Sequence, residues 1–289
     1  MGGLGLLMRR RAIQAHPTAG SDYIKFADEA VFNVLMSKGV SSDGIGITKE
    51  DAARVTTIGS WFSGNALIKN FNEFQYFVNV TQLGYTAFMN CSSLESIVLP
   101  MSMTSLPNLS AFNGCVSLSA INLGGLGYIG MNSFFKCSGL IGDLILPSCT
   151  EIEGGAFSFT GYSRILDLGS CAKIGKSRTE DNGSFRRCDN LTLAILPKTM
   201  QLSGWAIFYQ CASLTTLICK GETPFQMNYN NFLLDTPIKN GKGYIYVPDN
   251  AVDAYKTASN WSTYSNQIKG ISQFPTDNPS LYAEIKQYL

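Results

Sequence analysis

The sequence predicts an α+β solenoid of stacked coils with short parallel strands, closed by a helical cap at the N-terminal end and a strand–helix cap at the C-terminal end. Three observations predict it. The first is a recurring phrase, Phe-x-x-Cys-x-x-Leu, found at Phe88/Cys91/Leu94, Phe112/Cys115/Leu118, Phe134/Cys137/Leu140, Phe185/Cys188/Leu191 and Phe208/Cys211/Leu214. A degenerate copy, Phe157/Thr160/Ser163, completes the series, and the Phe positions lie 24, 22, 23, 28 and 23 residues apart. A fixed period in this range marks a chain whose units bury apolar residues only against their neighbours. The second observation is a short alternating segment between phrases. The third is the loss of the period before residue 57 and after residue 225, where helix-like and aromatic patterns take over.

The elements follow in chain order. Residues 1–20 read as a flexible or partner-ordered leader carrying Arg9–Arg11. Residues 21–56 read as the helical cap. Tyr23–Lys38 has Ala27, Val31, Val34 and Leu35 on one helical face, and Thr48-Lys-Glu-Asp51 is a capping box that starts a short helix to about Arg54. The loop between them, Gly39–Asp51, is similar to a calcium loop. With Ile47 set at position 8, however, Val40 and Gly44 stand where side-chain oxygens are required, so a cap without calcium is expected. An imperfect first coil or two occupies 57–84, around Ile58, Trp61, Phe62, Phe71, Phe74 and Phe77.

The solenoid is placed at 57–225. In each coil the strand should point inward at Ile97/Leu99, Ile121/Leu123, Leu144/Leu146 (one residue late), Leu166/Leu168, Ala194/Leu196 and Leu217/Cys219. Pro100, Pro147 and Pro197 end three of these strands. A second phrase, such as Ile129-Gly-Met-Asn-Ser-Phe134, precedes each Phe and its small residues permit a tight turn. The fifth coil carries an extra polar stretch, Lys176–Asp181, with Arg178, Glu180 and Asp181 as a candidate binding loop. The C-terminal cap spans 226–289. It comprises a last strand at Gly243–Val247, a helix from Ala251 to Lys256 capped by Asp249, anchors at Trp261, Tyr264 and Ile268, and a short terminal helix or tail from Asn278.

Composition narrows function. Charged residues are 15% of the chain, net charge is +1 and pI about 7.5, so neither nucleic acid nor an anionic membrane is an expected partner. No run of eighteen apolar residues occurs, so no membrane insertion is expected. The order of charge and apolar residues in Met1–Arg11 is not that of a secretory signal, and Leu6 spoils a myristoylation motif. The protein is therefore expected either not to use that export route or to lack its signal here. The eight cysteines are mostly in one repeat position, which predicts a buried column of reduced thiols bonding turn carbonyls rather than disulfides. His16 is the only histidine and no CxxC pair exists, so neither a metal nor another cofactor is expected. Scattered carboxylates, no phosphate loop before a helix and no singled-out serine argue against an enzyme.

The phrase Cys91-Ser-Ser-Leu94-Glu-Ser-Ile97-Val-Leu99-Pro100, preceded by Ala87-Phe88, resembles the BspA-like (Treponema-type) leucine-rich repeat over roughly residues 57–225. The segment Tyr246-Val-Pro-Asp-Asn-Ala-Val-Asp-Ala-Tyr255-Lys to Trp261 is similar to the terminal cap of Bacteroidales members, and the Met-Arg-Arg-Arg start resembles short proteins of gut Bacteroidales phages and prophages. The resemblance implies a non-enzymatic adhesion or binding protein that recognises a protein or glycan and is displayed outside a virion or bacterial cell. The alternative is a structural tail- or capsid-associated virion subunit that contacts other virion proteins. Outward-facing positions Val98, Asn122, Ile145, Asp167, Ile195 and Ile218 form the candidate binding face, beside a lane of Ser96, Ala120, Asp143, Ile165, Leu193 and Thr216. Burial beneath a neighbouring copy, or a plain strand preference for β-branched residues, would also make this face apolar.

Overall fold

A computed structural model describes residues 22–107, 109–176, 183–202, 204–227 and 231–289. It is a stack of coils organised around one side chain per coil. Phe62, Phe88, Phe112, Phe134, Phe157, Phe185 and Phe208 are buried and lie face to face, with successive centroids 5.1, 5.2, 5.4, 5.2, 5.3 and 5.6 Å apart and interplanar angles of 15° or less. The spacing is close to the distance between neighbouring strands in a sheet. Backbone bonds keep the turns in step: Phe88 N donates to Ala111 O, Phe112 N to Ser133 O, Phe134 N to Ala156 O, and so on to Phe208 N and Phe232 O. The first and last turns depart from the sequence phrase. Phe62 heads a copy with Asn65 where Cys is expected, and the last turn has Leu233 and Thr236 in place of Phe and Cys.

The cysteine column forms as expected. All eight cysteines are free and buried. The thiols of Cys91, Cys115, Cys137, Cys188 and Cys211 donate to the carbonyls of Phe62, Phe88, Phe112, Phe157 and Phe185, each in the preceding coil, at 2.9–3.2 Å. In the degenerate coil Thr160 bonds back to Phe157 O at 2.8 Å and meets Cys188 Sγ at 3.3 Å, while Tyr162 packs edge-on against Phe157 where the other coils place Leu. Burial pushes the Cys137 thiol up to about 12, and that of Cys219 upward as well.

Two parallel strand columns flank this spine. One comprises Asn70–Phe71, Ser96–Ile97 and Ala120–Ile121, and after a break continues through Gly142–Ile145, Tyr162–Asp167, Leu191–Leu196, Thr216–Cys219, Tyr244–Val247 and Ile268–Gly270. The break has a local cause. From Cys137 the chain takes one residue more to reach Leu144 than Cys115 takes to reach Ile121, and Gly142 absorbs the excess at φ +83°. The inward residues expected from alternation are buried, except Ile121, which is half-buried. The second column is an unexpected sheet of Ser105–Leu106, Tyr128–Ile129, Glu151–Glu153, Lys173–Lys176, Gln201–Leu202 and Gln226–Met227. From Phe112 to Phe208 the phrase preceding each stacked Phe thus begins as a strand before it turns.

Both ends are capped, with shifts from the expected elements. Helix α1 spans Glu29–Ser37 rather than starting at Tyr23, because the Asp28 carboxylate accepts from the amides of Ala30 and Val31 and fixes the start there. Ala27 consequently lies outside the helix and is exposed, whereas Val31 and Leu35 are buried. Helix α2, Lys49–Arg54, carries the expected capping box, with Thr48 Oγ1 accepting from Asp51 N at 3.0 Å and Asp51 Oδ2 accepting from Thr48 N at 2.8 Å. At the other end, helix α3 spans Val252–Thr257 after a 3₁₀ turn, and Asp249 does not cap it. Its carboxylate accepts instead from the amide and hydroxyl of Ser272. Trp261, Tyr264 and Tyr255 are buried against Phe225 and Phe232.

Replacing Phe134 by Ala removes a ring between two stacked neighbours and is expected to cost about 3–5 kcal/mol, while Phe134→Leu keeps most of the burial and costs markedly less; denaturant unfolding of both variants checks this. The thiol of Cys137 ionises near 9.0 in an ordinary setting and at about 12 in the fold. Its contribution is therefore complete below about pH 9 and is lost as the pH rises toward 12. Unfolding midpoints measured from pH 8 to 11 should fall more steeply for the wild type than for Cys137→Thr.

Candidate binding surfaces

The outward lane of the first strand column divides into two parts. Val98 is half-buried and Asn122 is exposed, with its amide bridging the backbone N and O of Leu99 at 2.7 and 3.0 Å. Ser96 and Ala120 beside them are also reachable from solvent. From Ile145 onward the face is not open, which corrects the expectation of one continuous exposed surface. Asp167, Ile195 and Ile218 are buried, as are Ile165, Leu193 and Thr216 of the adjacent lane, and only Asp143 stays exposed.

The cover is the chain's own C-terminal segment. Helices α4 (Phe274–Asp277) and α5 (Pro279–Ile285) return across the sheet, and Phe274 and Ile285 join Ile165, Leu193, Ile195, Ile218 and Tyr246 in a second apolar core. Phe274 meets Tyr246 edge-on at 4.9 Å. Polar contacts rim the patch. Tyr246 Oη donates to Asp277 at 2.8 Å, Lys269 pairs with Asp277 at 2.8 Å, and Arg164 bridges Glu284 at 2.8 Å and Asp143 at 3.4 Å. The Lys269 ammonium and the Tyr246 hydroxyl hold the Asp277 carboxyl below its usual range. Alternation gives the direction of these side chains correctly, but it carries no information on what lies above them.

A second surface runs along the turn edge beside the Phe stack. The residue two places after each stacked position (Gly64, Asn90, Gly114, Lys136, Phe159, Arg187, Gln210, Asp235) is left-handed, with φ between +55° and +77°. In the early coils this column holds Gly or Asn, the residues best suited to it. In the middle coils it holds Lys136, Phe159 and Arg187, and a run of ring contacts follows. Phe135 meets Phe159 at 5.3 Å, and the Arg186 and Arg187 guanidinium groups lie 5.9 and 5.6 Å from the Phe159 ring. Arg186 also lies 5.1 Å from Tyr209, whose ring is 6.0 Å from Trp205. All of these are half-buried except Arg187 and Lys136, which are exposed. Sequence reading missed this edge because the residues occupy three different positions of the repeat and share no type.

Arg178, Glu180 and Asp181, the leader 1–20 and His16 lie outside the described residues. In the calcium-like loop the Asp51 carboxylate is committed to the α2 cap and to Arg54, and Asp43 accepts from Tyr23, Ser41 and Ile45. The Tyr23 hydroxyl and the Ile45 amide push the Asp43 carboxyl far below its usual range. Among the described residues no group of three His, Cys, Asp or Glu is placed to hold a metal, and no helix is long and apolar enough to cross a membrane.

Residues 57–178 and 179–240 match the family model of the BspA type leucine rich repeat region, in six copies, and this is well over half of the chain. The protein therefore belongs to the BspA-type leucine-rich repeat family. Leucine-rich repeat proteins generally bind other proteins. Among solved structures, a leucine-rich repeat protein of Treponema pallidum is similar at 31% identity over 48% of this chain, with a TM-score of 0.42, and the match spans 62% of that protein's length. A leucine-rich repeat protein from Bacteroides ovatus is similar at 17% identity over 74% of this chain and 69% of its own (TM-score 0.32). A leucine rich cell surface protein from Faecalibacterium prausnitzii is similar at 15% identity over 76% of this chain and 85% of its own (TM-score 0.32). No relative was found among curated proteins.

Ile285→Ala should weaken docking of the C-terminal segment by about 2–5 kcal/mol, the range for truncating a buried Ile. Hydrogen exchange is expected to rise across 271–289 and in the strands beneath, with the coils from Phe88 to Leu118 unchanged.

Proposed function

We propose that this protein is a non-enzymatic binding module that recognises a protein or glycan through its solenoid surface and is displayed outside a virion or a bacterial cell. The observation that supports it most is the turn edge. Half-exposed Trp, Tyr, Phe and Arg side chains stand together there in a rigid row, and these are the residue types enriched at binding surfaces and at their energetic hot spots. The stacked coils hold the row without the loop ordering that weakens association. The family's general protein-binding character points the same way.

A structural role inside a virion is the second reading. Leu67, Met101 and Ile141 are 76, 98 and 69% exposed, apolar surface that neighbours in an assembly would cover. Fractionating the source culture into purified virus particles and cell envelopes, with mass-spectrometric detection, separates the sites of display. Screening the purified protein against protein and glycan arrays tests binding itself. The proposal expects enrichment in one fraction together with a saturable ligand. Absence from both fractions, or turnover of ester, glycoside or peptide substrates, would overturn it.

A further inference from the structure

We infer that the sheet face formed by Ile165, Leu193, Ile195, Ile218 and Tyr246 is a docking face for an acidic amphipathic helix of a partner protein, and that the chain's own C-terminal segment covers it as a displaceable stand-in. The inference rests on the binding-module reading and adds to it a surface and a partner class. Register gives the surface. Leu193 pairs with Ile165, Ile195 with Ile218, and Ile218 with Tyr246, so these side chains stand in two adjoining lanes across four consecutive parallel strands. On the uncovered strands of the same column the matching positions hold Ser96, Ala120, Val98 and Asn122, so the strongly apolar stretch lies where the segment crosses. The cluster beneath the segment shares no residue with the core around the Phe stack. It opens without disturbing the coils, and once open it is a contiguous apolar patch of the kind that marks interaction sites.

The resident segment gives the partner class. Helix α5 and the turn after it pack Leu281, Tyr282, Ile285 and Tyr288 against the cluster, a one-sided helical spacing, and leave Ser280, Ala283 and Gln287 exposed. The solenoid supplies cations at the rim. Arg164 meets Glu284 at 2.8 Å, with Asp143 also approaching it at 3.4 Å, and Lys269 meets Asp277 at 2.8 Å. Lys220 donates to the Tyr288 carbonyl. Arg164 has φ +69° and lies beside a register shift between Leu191 and Leu193, a local irregularity that sets the guanidinium at the rim. Apolar lanes flanked by cations select an amphipathic helix with carboxylates along its edge.

The resident segment is weakly built. Helix α4 has four residues and α5 has seven, and neither begins with a side-chain cap. Helices this short do not persist in water alone, so the segment owes its fold to the face it covers. Phe274 and Ile285 are its only fully buried apolar side chains, and the Arg164–Glu284 bridge is exposed, where ion pairs hold little. A longer helix with the same apolar face brings more of its own order and displaces it.

The test uses the full chain and a fluorescent peptide of residues 271–289. The double variant Phe274→Ala, Ile285→Ala removes the resident anchors without touching the face, and hydrogen exchange in the coils from Phe88 to Leu118 checks that its solenoid is intact. It should bind the peptide saturably, and the wild type should bind at least about tenfold more weakly, because the tethered copy competes. The surface variant Asp277→Asn, Glu284→Gln should fall between them. A second peptide keeps only the apolar face and the two carboxylates of 274–288 on an alanine–glutamine helix. It should bind the double variant at least as tightly as the first, and Asp277→Lys with Glu284→Lys in it should weaken binding most at low salt. No binding of either peptide to the double variant, or equal binding to wild type and double variant, would overturn the docking face while leaving the array result to judge the binding-module reading. Binding of the first peptide alone would overturn the partner assignment in favour of the C-terminal segment of a second copy.

Discussion

The structure depends on keeping eight turns in register at one coil spacing. The backbone bonds between turns set that spacing, and it suits both side chains in the turn. Phenyl rings can stack face to face at about 5 Å, and a thiol can reach the carbonyl of the coil before it. Each coil that carries both residues thereby fills the apolar hole of its neighbour and satisfies its neighbour's buried oxygen. Neither task can be done by an isolated unit, which is why the repeat exists only as an array. The thiol suits the second role as a small, largely apolar group with one weak donor, so it costs little to bury. Thr160 can substitute because its hydroxyl bonds within its own turn.

The legibility of the sequence follows this division. Phe and Cys were readable because every coil offers them the same surroundings, and the alternation around Ile97 or Leu196 was readable because a strand has only two faces. The terminal coils were harder. Asn65 and Thr236 stand in the Cys position, and Leu233 replaces the ring, since an end coil has a cap rather than another coil against it. The second sheet escaped notice because its strands, two to four residues long, bury at most one apolar side chain each, such as Ile129 or Leu202, too short a segment for a period to register.

The surface was less readable than the core. Ile195 and Ile218 carried a hint, being large and apolar at positions that point outward, but periodicity cannot distinguish a ligand, a second copy or the chain's own C-terminus as their cover. The structure resolves it through Phe274 and Ile285, more than fifty residues further along the sequence. The turn edge gave no hint at all. Its members matter because Phe135, Arg186, Tyr209 and Trp205 are adjacent in space, and adjacency between coils is created by stacking rather than by any feature within one repeat.

The returning C-terminal segment alters how the array bears load. In a plain solenoid, tension at the end peels one coil at a time, and each step breaks contacts with a single neighbour. Here the last helices are fastened to strands of several coils at once, and Arg164 grips Glu284 across 120 residues of sequence. A pull on the C-terminus must first detach that strap, whose resistance is shared among four strands, before the coils beneath can begin to open. The covered half of the sheet therefore behaves as a reinforced block, and the uncovered coils around Ser96 to Asn122 are the compliant part of the molecule.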